Sequence, residues 1–133
     1  MQARSCCVRR LALLVLVMVP AMQAAAETLD ANAAHKLTSE RTWRQKSPSG
    51  PGYNYWTWKA DGTVCLRLED KRGKCADTGS WKMEGGRLCY ELTWWARSYG
   101  MTAACFRISS AGQGRFEALQ DNSLPLFSFW LED

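Results

Sequence analysis

The 133-residue sequence holds a single histidine, His35. Histidine is the residue most often used as a general base near neutral pH and is the commonest metal ligand. Every mechanism that needs an imidazole would therefore depend on this one residue. Its neighbours are alanines and polar residues of a helix-like segment, which is typical of a solvated helical side chain. The scarcity of histidine argues against a histidine-dependent hydrolase and against a zinc site.

Long apolar runs are also missing. The longest, residues 11–19, has nine residues, whereas a transmembrane helix needs about 20. This run follows a basic segment and precedes the small residues Ala24, Ala25 and Ala26. A basic region, a short apolar run and a small-residue cleavage site, in this order, predict a secretory signal peptide over residues 1–26. The mature chain would then begin at Glu27 and have no membrane span.

The mature chain has almost no excess of either charge. The full sequence has 17 basic and 13 acidic residues, and three of the arginines, Arg4, Arg9 and Arg10, belong to the predicted leader. A nucleic-acid-binding protein needs a basic surface to neutralise phosphates. The near balance of the remaining charges therefore argues against nucleic acid as a partner, and also against an acidic solvating tail.

The remaining polar residues give little support to catalysis. Gly85-Gly86 and residues 112–114 are separate turns rather than a phosphate-binding loop before a helix. Most acidic residues fall at turns, where solvation explains them. Glu91 and Glu117 lie within predicted strands, and a glycosidase would need such a pair of carboxylates, but the simpler interpretation is that both face solvent. The sequence predicts a protein that is not an enzyme and that holds no cofactor and no metal.

Four cysteines remain once Cys6 and Cys7 are removed with the leader. An even number of cysteines in a small exported chain predicts two disulfides. A zinc site would need clustered ligands, whereas the spacings here are 10, 14 and 16 residues. The four are Cys65, Cys75, Cys89 and Cys105.

The pattern of the mature chain is that of a β protein. Residues 27–41 form the only helix candidate, which Asp30 can cap. After it, strand-like runs alternate with turn signals, among them a two-residue hairpin turn at Asp61-Gly62. The runs lie around Trp43 and at residues 53–59, 63–68, 74–83, 87–95, 102–109, 115–119 and 124–131. We expect one all-β domain over residues 27–133, an antiparallel meander of seven or eight strands in a small barrel or half-barrel, with the helix covering an end or an edge.

The strand register of one hairpin can be predicted from the sequence. Folding the chain about residue 97 sets Cys89 opposite Cys105 and also sets Leu88 opposite Phe106. A single register thus satisfies both the disulfide and the apolar face, because a one-residue slip would reverse every side chain. The first predicted disulfide is Cys89–Cys105.

A second predicted hairpin, in which the chain folds about residue 70, sets Cys65 opposite Cys75. It places Leu66 opposite Lys74, which is a weaker match of residue types. The second predicted disulfide is Cys65–Cys75, although four cysteines allow three connectivities.

Aromatic residues are abundant, and all fifteen lie in the mature chain. Exposed tryptophan and tyrosine often anchor binding surfaces. Adjacent residues of a strand point to opposite faces, so with Trp94 in the core, Trp95 would lie outside, near Tyr99. The tryptophans expected mainly in the core are Trp56, Trp58, Trp81 and Trp94. The candidates for ligand or partner binding are Trp95, Tyr99, Trp56 and Trp58.

A series of short motifs follows the leader and the helix. They are Arg41-Thr42-Trp43, Asp61-Gly62-Thr63, Gly79-Ser80-Trp81-Lys82, Leu88-Cys89-Tyr90 and Cys105-Phe106-Arg107. Their order resembles that in small exported bacterial proteins of unknown function with a lipocalin-like, or calycin-like, antiparallel barrel. Gly79-Ser80-Trp81 is similar to the glycine-x-tryptophan signature of calycins. The resemblance implies this barrel and a periplasmic or secreted location in a bacterium, and it implies no activity and no ligand residues.

Two classes of function fit these observations. The first is a non-catalytic binding module whose barrel mouth or aromatic outer patch holds a small apolar ligand, a glycan or a partner protein. The second is a protein inhibitor or cell-envelope interaction factor that acts through an exposed loop, at residues 47–52 or 96–101. A cavity of several hundred Å3 would favour the first class, whereas a filled barrel with an ordered, projecting loop would favour the second. A hydrolase that uses Glu91 is a third, weaker hypothesis.

Overall fold

The computed structural model describes residues 26–47 and 50–132. The predicted signal peptide lies outside the described residues, apart from Ala26, and so does part of the predicted loop 47–52. Within the described chain, one α-helix, α1, spans Ala31–Thr38, and a short 3-10 turn spans Arg97–Tyr99. No helix there is long and apolar enough to cross a membrane. The strands are β1 Glu27–Thr28, β2 Arg41–Lys46, β3 Tyr53–Trp58, β4 Thr63–Leu68, β5 Asp77–Glu84, β6 Arg87–Leu92, β7 Ala103–Gly112, β8 Arg115–Leu119 and β9 Pro125–Glu132.

Strands β2 to β9 form a closed antiparallel barrel of eight strands. Each strand pairs with its neighbours along the chain, and the ring closes where Arg44 of β2 lies opposite Trp130 of β9. Closure pairs the first and last barrel strands, whose edges would otherwise invite aggregation. The all-β meander, the barrel and the single short helix are confirmed.

The helix is shorter than the predicted segment 27–41. Residues Glu27 and Thr28 form β1 instead, opposite Ser110 and Ser109 of β7. Pairing with a barrel strand satisfies the backbone of these two residues better than a frayed first helical turn would. The helix then begins after Asp30, whose Oδ1 accepts a hydrogen bond from the Ala33 N–H at 2.8 Å, as predicted.

The helix covers one end of the barrel, which we call the helix end. Ala34 and Thr38 are buried on its inner face. The Leu37 carbonyl accepts a hydrogen bond from the Trp43 indole at 3.2 Å. The His35 ring lies 5.8 Å from the Trp81 ring. These contacts explain how such a short, alanine-rich helix is stabilised, since it would be marginal alone.

Aromatic side chains fill the interior of the barrel. Trp43 stacks on Phe129 with ring centroids 3.8 Å apart, and Trp56 stacks on Trp58 at 5.4 Å. All four have no exposed surface, and Trp81 is 8% exposed. The predicted core positions of Trp56, Trp58 and Trp81 are confirmed. Protein side chains therefore occupy the space that holds a ligand in a wider barrel.

Both predicted disulfides are present. In the β6–β7 hairpin, Cys89 lies opposite Cys105 and Leu88 opposite Phe106, so this register is confirmed.

The second disulfide, Cys65–Cys75, forms in a different register from the one expected. Cys65 pairs with Thr78 in the β4–β5 ladder, and Leu66 pairs with Asp77 rather than with Lys74. β5 begins only at Asp77, so Cys75 belongs to a loop and not to the predicted strand 74–83. Lys74 is exposed in this loop, which avoids setting a lysine opposite the buried Leu66.

The β3–β4 turn also differs from the predicted two-residue turn. The Lys59 N–H donates to the Thr63 carbonyl at 2.9 Å, which leaves the three residues 60–62 in the loop. Gly62 has a φ of +86°, the left-handed conformation that three-residue hairpins require of their last loop residue. Asp61 Oδ1 accepts hydrogen bonds from the N–H and the hydroxyl of Thr63.

Candidate interaction site at the loop end of the barrel

The end of the barrel opposite α1, which we call the loop end, carries the connections 47–52, 69–76, 93–102 and 120–124. Single exposed hydrophobic residues are common on protein surfaces. Among the residues that the structure describes, however, every exposed large hydrophobic side chain lies in or beside one of these connections. They are Tyr53, Leu68, Trp94, Tyr99 and Leu124. Apolar side chains gathered in one region mark an interaction surface more often than scattered ones do.

The connection 93–102 presents the two most prominent aromatic rings of this end. Tyr99 is 66% exposed and Trp94 is 47% exposed, whereas Trp95 is only 6% exposed. Trp95 points into the barrel, where its ring lies 5.2 Å from the Trp56 ring in an edge-to-face arrangement. The expected placement of Trp94 inside and Trp95 outside is wrong. The expectation assumed that the strand continues to residue 95. Because β6 ends at Leu92, the alternation of faces along the strand does not reach the two tryptophans.

Asp77 fixes the start of this connection. Its Oδ2 accepts hydrogen bonds from the backbone N–H groups of Trp94 and Trp95, both at 2.8 Å. Its Oδ1 accepts from the N–H of Thr93 at 3.2 Å and from that of Thr78 at 2.8 Å. Asp77 is 4% exposed, so its carboxylate substitutes for water at four backbone donors.

These hydrogen bonds also determine the charge state of Asp77. Burial of the carboxylate acts to raise its pKa, but the hydrogen bonds from the Trp94, Trp95, Thr93 and Thr78 backbone outweigh burial and hold the pKa below its usual value. Sequence reasoning did not identify Asp77, because it lies inside the predicted strand 74–83 and no local pattern shows that its carboxylate accepts hydrogen bonds from a loop 16 to 18 residues further along the chain.

Further hydrogen bonds order the rest of the connection. The Tyr90 hydroxyl donates to the Met101 carbonyl at 2.6 Å, and the Arg97 guanidinium donates to the Thr93 carbonyl at 2.7 Å. The Thr102 hydroxyl donates to the Trp95 carbonyl at 3.1 Å. Burial raises the pKa of the Tyr90 hydroxyl, so this group remains a proton donor. The connection is an ordered loop that projects Trp94 and Tyr99 into solvent.

A cleft opens beside this end, where β2 and β9 diverge. The ladder between the two strands runs from the Thr42–Glu132 pair to the Gln45–Phe129 pair. Beyond that pair lies a space of about 360 Å3, which we call the β2–β9 cleft. Its apolar walls come from Met101, Leu126, Phe127 and Trp130. A larger space, of about 460 Å3, lies on the outer surface beside the Cys89–Cys105 disulfide.

The four predicted binding residues do not lie together on the surface. Tyr99 is exposed at the loop end, whereas Trp95 is buried in the barrel mouth and Trp56 and Trp58 are buried in the interior. Tyr99 is the one of the four that a partner could touch directly. A role of the other three in binding stays a prediction.

The residues considered for chemistry are dispersed. Glu91 is exposed on β6, and Glu117 on β8 forms an ion pair with Arg115 at 3.6 Å. His35 lies exposed on α1, at the other end from the loop 93–102. In the described ranges, 26–47 and 50–132, no group of three or more His, Cys, Asp or Glu side chains is placed to hold a metal ion.

No protein-family model matches the chain, and neither a curated protein nor a solved structure matches it significantly. Any function must therefore be inferred from the chemistry of its own residues.

Proposed function

We propose that this protein is an exported, non-catalytic binding module that contacts a partner protein through the loop end of its barrel. The observation that carries the proposal is the position of the exposed hydrophobic side chains. All of those in the described chain lie at this end, while α1 covers the opposite end. Two of them, Trp94 and Tyr99, project from the ordered loop 93–102, which is the arrangement expected of a protein inhibitor or a cell-envelope interaction factor.

The physical properties of the loop support a protein partner. Tyrosine and tryptophan anchors bury large areas with few rotatable bonds, and they dominate the energetics of protein interfaces. Asp77 and the buried Trp95 hold the loop in one conformation, so that little conformational entropy is lost when Trp94 and Tyr99 contact a partner.

A small apolar ligand is the competing hypothesis within the same class. The rings of Trp43, Trp56, Trp58 and Phe129 occupy the barrel interior, so such a ligand would have to bind at the surface, in the β2–β9 cleft or in the space beside the Cys89–Cys105 disulfide. The volumes of these two spaces, about 360 and about 460 Å3, lie in the lower part of the range for small-molecule sites. The loop end therefore supports a partner protein better than the cleft supports a ligand.

The proposed location is the bacterial periplasm or the cell exterior. The leader predicted over residues 1–26 supports this proposal, and so do the two disulfides, because disulfides persist in oxidising compartments. The resemblance to exported lipocalin-like proteins agrees with it. The proposal includes no catalytic residue, no cofactor and no nucleic-acid partner.

Site-specific photo-crosslinking in the producing cell tests this function. A photoreactive p-benzoylphenylalanine at position 99 should give a covalent adduct of discrete mass, which weakens when Trp94→Ala is added. The control places the same group at Lys82, an exposed residue on the outer face of β5, and should give no such adduct. Equal adduct patterns at both positions would contradict the proposal. A co-purifying small molecule in native mass spectrometry, without any adduct at position 99, would favour the ligand hypothesis instead.

A further inference from the structure

An arginine lies between two aromatic rings on the outer face of the barrel, at the seam where β2 meets β9. The guanidinium carbon of Arg44 is 4.8 Å from the ring centroid of Tyr53 on β3 and 5.8 Å from that of Trp130 on β9. Both distances are within the range of cation–π attraction. The rings restrict the guanidinium plane, so its outer edge has a defined direction.

The charge of Arg44 is not neutralised by a hydrogen-bonded carboxylate. The nearest acidic atom, Glu132 Oε2, is 3.9 Å from Arg44 Nε, beyond hydrogen-bond length. Glu132 Oε1 is 3.0 Å from the Lys71 ammonium, so this residue already has a cation. Arg44 Nε is shielded from solvent and has no hydrogen-bond partner among the described residues, while the side chain as a whole is 37% exposed. Arg44 is thus a restrained cation that shares the single carboxylate of Glu132 with Lys71, so that part of its charge is left for a ligand.

A second cation follows on the same face. Lys46 lies two residues further along β2, is exposed, and forms no ion pair within residues 26–47 and 50–132. Alternate residues of a strand are about 6.6 Å apart. Lys46 also lines the β2–β9 cleft, where Met101, Leu126 and Phe127 are apolar neighbours. Arg44, Lys46 and the β2–β9 cleft therefore follow one another along the outer face of β2, and we call this arrangement the row.

We propose that this row binds an extended acidic segment of the partner protein. Two carboxylates of the segment, on residues i and i+2, lie on Arg44 and Lys46, and an apolar side chain two residues further on enters the β2–β9 cleft. The proposal rests on the proposed function, to which it adds the chemistry of the partner.

The spacing argues for a peptide. Alternate side chains of an extended peptide repeat at the same distance as alternate side chains of β2, so both ion pairs form without distortion. Arginine binds a carboxylate through two parallel N–H donors, whereas lysine acts as a point charge. Arg44 should therefore determine specificity, and Lys46 should add affinity that depends on ionic strength.

A synthetic peptide tests the row directly. The probe is acetylated and amidated Thr-Glu-Thr-Glu-Thr-Leu-Thr, titrated into the folded, disulfide-bonded protein by calorimetry at low ionic strength. Arg44→Ala should weaken binding about tenfold or more, because it removes a hydrogen-bonded charge pair. Arg44→Lys should restore only part of the loss, and Lys46→Ala should give a smaller, salt-dependent loss. Arg107→Ala removes an exposed arginine from β7, a strand that pairs with neither β2 nor β9, and should leave binding unchanged.

The outcomes separate this site from the loop-end function. Tyr99→Ala should leave the peptide affinity unchanged, because Tyr99 is not among the residues that line the β2–β9 cleft. The absence of saturable binding, or equal affinity of the wild type and Arg44→Ala, would overturn the acidic-segment site even if crosslinking at position 99 succeeds. Binding of an acidic oligosaccharide in place of the peptide, with the same dependence on Arg44, would also overturn it. Failed crosslinking with intact Arg44-dependent peptide binding would overturn the loop-end function alone.

Discussion

The side chain of Asp77 accepts a hydrogen bond from the backbone N–H of Trp95 at 2.8 Å. The two residues are 18 positions apart, and their contact joins the start of β5 to the loop that follows β6. It turns the chain after Leu92 so that the Trp95 ring enters the barrel and Trp94 faces solvent. One carboxylate thus determines which tryptophan belongs to the core and which to the surface.

Removal of this carboxylate should destabilise the whole domain. Asp77→Ala leaves the buried N–H of Trp95 and the partly buried N–H groups of Thr93 and Trp94 without their acceptor, and the unfolding free energy should fall by about 3 kcal/mol. Urea denaturation measures the change, and hydrogen exchange of the three amides should accelerate. Asp121→Ala, which removes only the exposed partner of Arg87, is the control and should cost less than about 1 kcal/mol. Equal effects of the two substitutions would show that Asp77 does not anchor the loop.

Asp77 should also make stability depend on pH. Its pKa in the folded state is held below the usual 3.8, so the folded state favours the ionised form more than the unfolded chain does. The contribution is fully present above pH 3.8 and is lost as the pH falls through the lower folded value. Urea denaturation between pH 6 and pH 2 should show a steeper loss for the wild type than for Asp77→Asn. The hydrogen bond from the Thr63 hydroxyl also lowers the pKa of Asp61, so Asp61→Asn is the comparison and should reduce the pH dependence as well. Parallel curves for the wild type and Asp77→Asn would refute the prediction.

Local pattern was enough to predict the barrel and one hairpin register. In β6 and β7, two constraints agree, since the match of Cys89 with Cys105 and that of Leu88 with Phe106 need the same pairing. In β4 and β5 the cysteine match alone is misleading, because Cys75 lies in a loop and bridges to Cys65 from outside the ladder. A disulfide restricts the distance between two residues but does not by itself determine register.

The candidate sites depend on contacts that local pattern cannot show. Arg44 meets Trp130 only because the first and last barrel strands pair. The reversal of Trp94 and Trp95 depends on a side chain in another strand, Asp77. Periodicity describes which face a residue occupies while its strand continues, and it gives no information once a distant hydrogen bond ends the strand.

Gly79 should tolerate no side chain. A Cβ added there would lie 1.8 Å from the carbonyl oxygen of Glu91 on the neighbouring strand, which is backbone and cannot move without disrupting the ladder. Gly79→Ala should lower the unfolding free energy by about 3 kcal/mol, measured by thermal or urea denaturation. The neighbouring exposed Ser80→Ala should change it by less than about 0.5 kcal/mol. Near-equal stabilities of the two variants would mean that β5 and β6 do not approach so closely.

Loss of either disulfide should weaken the domain without changing its topology. The bridges Cys65–Cys75 and Cys89–Cys105 close loops of 10 and 16 residues, and the chain-entropy model gives about 3 kcal/mol for each. Paired Cys→Ser variants, compared by denaturation with and without a reductant, measure both contributions. Peptide mapping of the native protein should recover these two linkages. A Cys65–Cys89 linkage would refute the arrangement.

The two adjacent tryptophans of the loop 93–102 should respond to truncation in opposite ways. Trp95→Ala removes a buried ring from beside Trp56 and should lower the unfolding free energy by about 3–5 kcal/mol. Trp94→Ala removes a ring that is 47% exposed and should cost less than about 1 kcal/mol, yet it should weaken the adduct formed by a photoreactive group at position 99. Denaturation and crosslinking together test this separation, because a residue that serves the interface affects the adduct without affecting folding. If Trp94→Ala destabilised the protein as much as Trp95→Ala, the exposed ring would belong to the core, and the loop end would lose its principal aromatic contact.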